Sequence, residues 1–255
     1  MKAVAINGGA GRMGQILAGG LSGLGRFSIG ALVDVQAPRE LFGATFASTW
    51  DDVDATTIDV VVDFSSPEGV VASAAWCAAH GVGLVIGTTG LSSEQRLAVE
   101  DAATKVGVVI AANYSVGAVL SEKFAALAAP YFDRVEIIEL HHDKKVDAPS
   151  GTSIAAAKSI AAARVAAGLP EMDDPTVRHT LSGARGADTI GGIKIHSVRL
   201  PGLVAHQEIL FGGPGEGLTI RHDSFDRLSF VQGVALAVDA VDATPRLIDG
   251  IESLI

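Results

Sequence analysis

Through the first half of the chain, short unbroken apolar runs alternate with longer stretches of mixed polarity. Residues 3–7, 29–34, 60–64, 83–87 and 108–111 are such runs. Helix-like stretches separate several of them: one to about residue 21 after a Gly-rich turn, then 68–80 and 92–105. Continuous apolar strands interleaved with helices predict a parallel sheet covered on both faces. The expected architecture is a doubly wound, Rossmann-type α/β domain.

The second half is patterned differently. A strand is predicted over 134–141 and an Ala-rich helix over 153–167, with Lys158 and Arg164 for its wet side. Strand-like segments follow at 177–181, 192–200, 203–211 and 218–222, broken by Gly183, Pro201-Gly202 and the run Gly212-Gly213-Pro214-Gly215. Successive strands with short turns imply a smaller α+β domain with a mostly antiparallel sheet. Residues 230–248 carry a helical pattern and are expected to return to the first domain. The division is then 1–113 with 226–255 for dinucleotide binding, and 114–225 for substrate binding and oligomerisation.

Composition narrows the function. The 255 residues are 48% hydrophobic, enough for a sizeable core, and carry a net charge of −10. An acidic chain argues against nucleic-acid binding. Cys77 is the sole cysteine, so no intramolecular disulfide forms, and its apolar surroundings read it as a buried small hydrophobe. No signal peptide or membrane-length apolar run is evident, and a cytoplasmic enzyme is expected.

Two segments carry the chemistry. Gly9-x-Gly11-x-x-Gly14 follows a strand and opens a helix, the context a dinucleotide fingerprint requires. Absent side chains let the backbone approach a pyrophosphate, and a helix start attracts its charge. Asp34 ends the next strand, where a carboxylate accepts from ribose hydroxyls. Gly87, Thr88 and Thr89, and Ala111, Ala112, Asn113 and Tyr114, follow two later strands as candidate nicotinamide and ribose contacts. The other segment, Glu139 to Thr152, packs His141, His142, Lys144 and Lys145 together and then supplies Ser150, Gly151 and Thr152 at a helix start. Histidine titrates near neutrality, and a lysine offers a point charge with three donors. Ser150 is placed as N-cap, and the amides behind it suit a carboxylate. Adjacent histidines on a strand point to opposite faces, so no metal is expected here. His80, His179, His196 and His206 read as structural or surface residues.

The segment HHDKKVDAPSGT resembles the signature of the 4-hydroxy-tetrahydrodipicolinate (dihydrodipicolinate) reductase family, and GGAGRMG, GTTG, AANYSVG and RHDSFDR are similar to that family in the same order. The resemblance spans essentially the whole chain. It implies NADH- or NADPH-dependent reduction of a small cyclic dicarboxylate, with loss of water, in diaminopimelate and lysine biosynthesis. It implies His141 as proton donor or acceptor and Lys145 as a second donor, with His142, Gly151 and Thr152 beside Ser150 on the substrate. Gly8, Gly9, Ala10, Gly11, Arg12, Met13, Asp34, Gly87 to Thr89 and Ala111 to Tyr114 become nucleotide contacts. It also implies a homotetramer. Some relatives follow the acidic residue with Arg; Val35 stands here instead, which bears on NADPH preference. Two other readings remain at this stage. One is a nicotinamide-dependent dehydrogenase of another amino or hydroxy acid, and the other a nucleotide-sensing regulator without turnover.

Overall fold

The computed structural model describes Met1–Ile255 and divides into two compact units: Met1–Val116 with Arg227–Ile255, and Gly117–Asp226. The first unit is a seven-stranded sheet. Its strands are β1 (Lys2–Asn7), β2 (Phe27–Val33), β3 (Thr45–Ala47), β4 (Val60–Asp63), β5 (Gly83–Ile86), β6 (Gly107–Ile110) and, from the chain's end, β12 (Arg246–Asp249). Their spatial order is β12-β6-β5-β4-β1-β2-β3, and every pairing is parallel. The order reverses between β1 and β4, the topological switch point where such sheets bind ligands.

The apolar strand pattern has its physical counterpart in burial. β4, β5 and β6 are buried at every position, because helices cover both faces. A fully buried Val, Leu or Ile contributes about 1.5–3 kcal/mol relative to exposure. Helix α1 (Arg12–Gly23) follows β1; α2 (Pro67–His80) and α3 (Ser93–Ala103) follow β4 and β5. Ser66 caps α2 by accepting from the Gly69 amide, Pro67 opens it, and left-handed Gly81 ends it. Ser92 and Gln95 form a reciprocal capping box on α3. Cys77 is fully buried in the cluster between α2, α3 and the sheet.

The second unit has five strands: β7 (Arg134–His141), β8 (Ala187–Asp188), β9 (Lys194–Arg199), β10 (Ala205–Gly213) and β11 (Glu216–Ser224). Their order is β11-β10-β7-β9-β8, antiparallel throughout except for the parallel β7–β9 pair. Helix α4 (Val116–Ala128) begins at the unit boundary, and α5 (Gly151–Ala166) follows β7. One face of the sheet, through Val135, Ile137, Ile195, Ile209 and Phe211, packs on Ala156, Ala157, Ile160 and Ala161 of α5. Buried Arg164 donates to the carbonyls of Ala129 and Phe132, anchoring the far end of α5.

Two sequence expectations are corrected. Residues 177–181 form no strand; Val177 is 97% exposed and Leu181 73%, so their apolar character finds no sheet to bury against. The helix expected over 230–248 is α6 (Val231–Ala240), which ends before Pro245, and β12 follows as an edge strand.

Candidate functional site

In the first unit the site is built at the carboxyl ends of β1, β2, β5 and β6. Gly8 adopts φ +79°, a conformation costly for other residues, and a Cβ there would lie 2.5 Å from the Phe64 carbonyl oxygen. A Cβ on Gly14 would sit 2.1 Å from the Gly8 oxygen, so only glycine lets α1 dock against the turn. Gly11 is the N-cap of α1 and offers no side chain; no acidic residue occupies the first turn. The amides opening α1, from Arg12 and Met13, therefore remain without a side-chain cap, which is the donor set an anionic pyrophosphate needs.

Asp34 has structural partners of its own. Its carboxylate accepts from the Ala10 amide at 3.0 Å and the Gln36 amide at 3.2 Å, tying the end of β2 to the glycine turn. Beneath the loops lies a hub that sequence reasoning missed. Fully buried Asp63 accepts from Asn7 Nδ2 (2.8 Å), Ser65 Oγ (2.8 Å), Ser73 Oγ (2.5 Å) and Thr88 Oγ1 (2.8 Å). Five donors, counting the Ser65 amide, satisfy this buried carboxylate without a cation. Thr88 is thus committed to the protein, while Thr89 is exposed beside it. The Tyr114 side chain is buried too, its hydroxyl donating to the Ile86 carbonyl, and burial raises its pKa far above the phenol range. Of Tyr114 only the main chain is available to a ligand. Asn113 accepts from the Ser115 amide and shapes that loop.

In the second unit, β7 delivers His141 at its last residue. Glu139, two residues earlier, lies on the same face. His141 Nδ1 is 2.5 Å from Glu139 Oε2, and Arg199 of β9 grips both Glu139 oxygens at 2.7 and 2.8 Å. Arg199 also donates to the Asp147 carbonyl. Asp147 in turn accepts from Lys145 through both carboxylate oxygens, at 2.8 and 2.7 Å. The segment from Glu139 to Asp147 is thereby fastened from strand to loop. His142 lies exposed one position past β7, in a turn closed by the Lys145 amide donating to its carbonyl. Lys144 is exposed.

Burial lowers the His141 pKa; the Glu139 carboxylate opposes that, and the charges of Lys145 and Arg199 add to the lowering. Burial pushes Glu139 up, but hydrogen bonds from Arg199, Ser197 and His141 outweigh it and hold the carboxyl below its usual range. Ser150 caps α5, its Oγ accepting from the Ser153 amide, while Ser153 Oγ donates to Gln207 on β10. The cap uses the third amide, leaving those of Gly151 and Thr152 at the positive end of a 16-residue helix with no acid in its first turn. Ser150 therefore acts as a cap, and the Gly151 and Thr152 amides behind it are the ones a helix start offers to an anion. Two of the remaining histidines are structural: His196 pairs with Glu136, and His206 with Asp223.

A parallel doubly wound unit with an uncapped glycine-turn helix, joined to a sheet that presents His, Lys and an open helix start, defines a class of nicotinamide-dependent reductases. Residues 2–114 match the family model for the N-terminus of dihydrodipicolinate reductase, and residues 117–254 match its C-terminus. The chain belongs to the dihydrodipicolinate reductase family. It is 45% identical over 255 residues to 4-hydroxy-tetrahydrodipicolinate reductase of Cutibacterium acnes, covering 99% of this chain and 98% of that one. The Geobacillus kaustophilus reductase is 43% identical over 264 residues, with 99% and 98% covered. The dipicolinate-bound dihydrodipicolinate reductase from Paenisporosarcina sp. TG-14 superposes with a TM-score of 0.88 at 39% identity, over 100% of both chains. No helix is long and apolar enough to cross a membrane.

Proposed function

We propose that this chain reduces 4-hydroxy-tetrahydrodipicolinate to tetrahydrodipicolinate, with loss of water, in the cytoplasmic synthesis of diaminopimelate and lysine. The observation that carries the reading is the assembled segment from His141 to Thr152, in a chain of this family. NADH or NADPH, when bound, supplies the hydride. Gly8 to Met13 with the first amides of α1 would hold its pyrophosphate, Asp34 its adenine ribose, and Gly87 to Thr89 with Ala111 to Tyr114 the remainder. The substrate is a dianion. The Gly151 and Thr152 amides at the start of α5 take one carboxylate, and His142 and Lys145 lie on the adjoining loop as further donors. Held this way, the ring has few orientations, which is where much of an enzyme's advantage originates. The reduced ring still lacks one proton, and His141 or Lys145 supplies it. The working form is a homotetramer, as the resemblance implies.

The test follows absorbance of NADH and of NADPH with freshly generated hydroxy-tetrahydrodipicolinate. Oxidation that depends on this substrate is expected with at least one nucleotide. Pyridine-2,6-dicarboxylate, a planar mimic, is expected to compete with substrate and not with nucleotide. Absence of turnover with either nucleotide defeats the assignment.

A further inference from the structure

Glu139 is fully buried, yet it carries a charge. Buried carboxylates survive only where donors compensate their desolvation. His141 Nδ1 and the two guanidinium nitrogens of Arg199, in a fork, are in place, with the Ser197 hydroxyl beside them. None of these contacts is needed to hold β7 in the sheet, whose ladder is complete through main-chain pairing with β9 and β10.

We propose that Glu139, clamped by Arg199, is the positioning residue that fixes His141 as its Nδ1–H tautomer and leaves Nε2 as the working nitrogen. The proposal rests on the functional reading above and deepens it. An ionised carboxylate only accepts, so the nitrogen 2.5 Å from Glu139 Oε2 carries the hydrogen. Nε2 is then the atom at which His141 holds or moves a proton, and its side chain is 16% exposed, enough to be reached.

Arg199 has a second consequence. A lone carboxylate would favour imidazolium. Here the guanidinium cancels that charge at the same two oxygens, and burial with the nearby Lys145 favours the neutral ring. The charged groups facing His141 are Glu139 on its own strand, Arg199 on β9, and Lys145 and Asp147 on the loop. On β10 the residues opposite are Ala205 and Gln207. Helix α5, packed on this face, has Lys158 and Arg164 as its charged residues; Lys158 is exposed and Arg164 lies at the far end. Burial and the two neighbouring cations thus hold the His141 pKa below its usual value, against the pull of Glu139.

The test uses the full-length protein with nitrogen-15-labelled histidine. Long-range proton–nitrogen spectra at neutral pH, with the His141 signals assigned by their loss in His141→Gln, are expected to show a protonated Nδ1 and a bare Nε2. A bare Nδ1, or a doubly protonated ring, overturns the proposal. Glu139→Gln is expected to lower kcat by at least about tenfold while KM for NADH stays within error. In Arg199→Met the uncompensated Glu139 makes His141 easier to protonate, so the acidic limb of kcat/KM moves to higher pH. Wild-type kcat in the first variant together with an unmoved limb in the second also overturns it. Should either variant fail to fold, the wild-type spectrum still decides. That spectrum requires no substrate, so loss of the tautomer assignment and loss of the assigned activity are separate results.

Discussion

Val35 is 89% exposed directly after Asp34. Asp34 is fixed by two amides, so its charge stays put at the end of β2. A 2′-phosphate would meet that charge without a guanidinium at position 35. NADH is therefore expected to be used at least as well as NADPH, judged by kcat/KM. Val35→Arg is expected to shift the ratio toward NADPH through fork pairing with phosphate. A wild-type preference for NADPH above about tenfold, roughly 1.4 kcal/mol, would mean that Arg12 or Arg39 governs instead. His141→Ala and Lys145→Ala are each expected to cost about 10²–10⁴ in kcat, with NADH affinity nearly intact, since both residues lie outside the unit that carries the proposed nucleotide contacts. Stopped-flow turnover and fluorescence titration with NADH separate the two effects, and full turnover in both variants rules out the assignment. His141 and Lys145 were legible because histidine and lysine cluster there in a short segment. Glu139 and Arg199 were not. Glu139 is recognisable only once its strand parity with His141 is considered, and Arg199 reaches it through a parallel pairing of β7 with β9 that no local pattern announces.

Helix α1 and the turn before it form one packed object, and Gly14 is the position where they touch. Alanine there gains helix propensity of up to about 1 kcal/mol. It also drives a methyl group to 2.1 Å from a main-chain oxygen that cannot rotate away. The clash wins: Gly14→Ala is expected to lower thermal stability and to raise KM for NADH, because α1 must withdraw from the turn. Unchanged KM and melting temperature would show that the turn yields freely. Strand β7 carries a pH dependence of its own. Burial raises Glu136, but Arg185 and His196 outweigh it, so Glu136 is held low, as Glu139 is. Carboxyls depressed in the folded state contribute stability that is whole above their unfolded pKa, about 4.3, and is lost as pH falls through the folded value. Melting temperature, as far as these two groups set it, is therefore flat from neutrality to about pH 5 and drops below. Glu139→Gln is expected to weaken that acid slope, and a slope of equal size in the variant would remove Glu139 from the account. The parallel core was readable because burial on both faces forces unbroken apolar runs. Among the elements missed, which include α4 and β8, two show that rule lapsing. β3 spans three residues with two exposed, and β12 is an exposed edge whose residues continue a helical pattern past Pro245. Val177 and Leu181 mislead in the opposite sense, being apolar and unburied.

At the scale of the whole molecule the residues assigned to nucleotide and to substrate fall in different units. Gly8 to Met13, Asp34, Gly87 to Thr89 and Ala111 to Tyr114 belong to the first; His141 to Thr152 belong to the second. The chain passes between the units after Val116 and again after Asp226. Sequence grammar separated the two halves because an all-parallel, doubly covered sheet and a mostly antiparallel one obey different hydrophobic periods. Under the proposed function, hydride transfer requires the substrate ring and the nicotinamide to come together away from water that would hydrolyse an imine. We therefore predict closure when both ligands bind, with the two main-chain crossings absorbing the change. Solution scattering is expected to show a smaller radius of gyration with NADH and pyridine-2,6-dicarboxylate together than with either alone. Amide exchange is expected to slow at residues 113–117 and 224–227 under the same condition. If the scattering profile and the exchange at both crossings are identical with and without the two ligands, the units do not move, and the ligands must meet within a fixed arrangement.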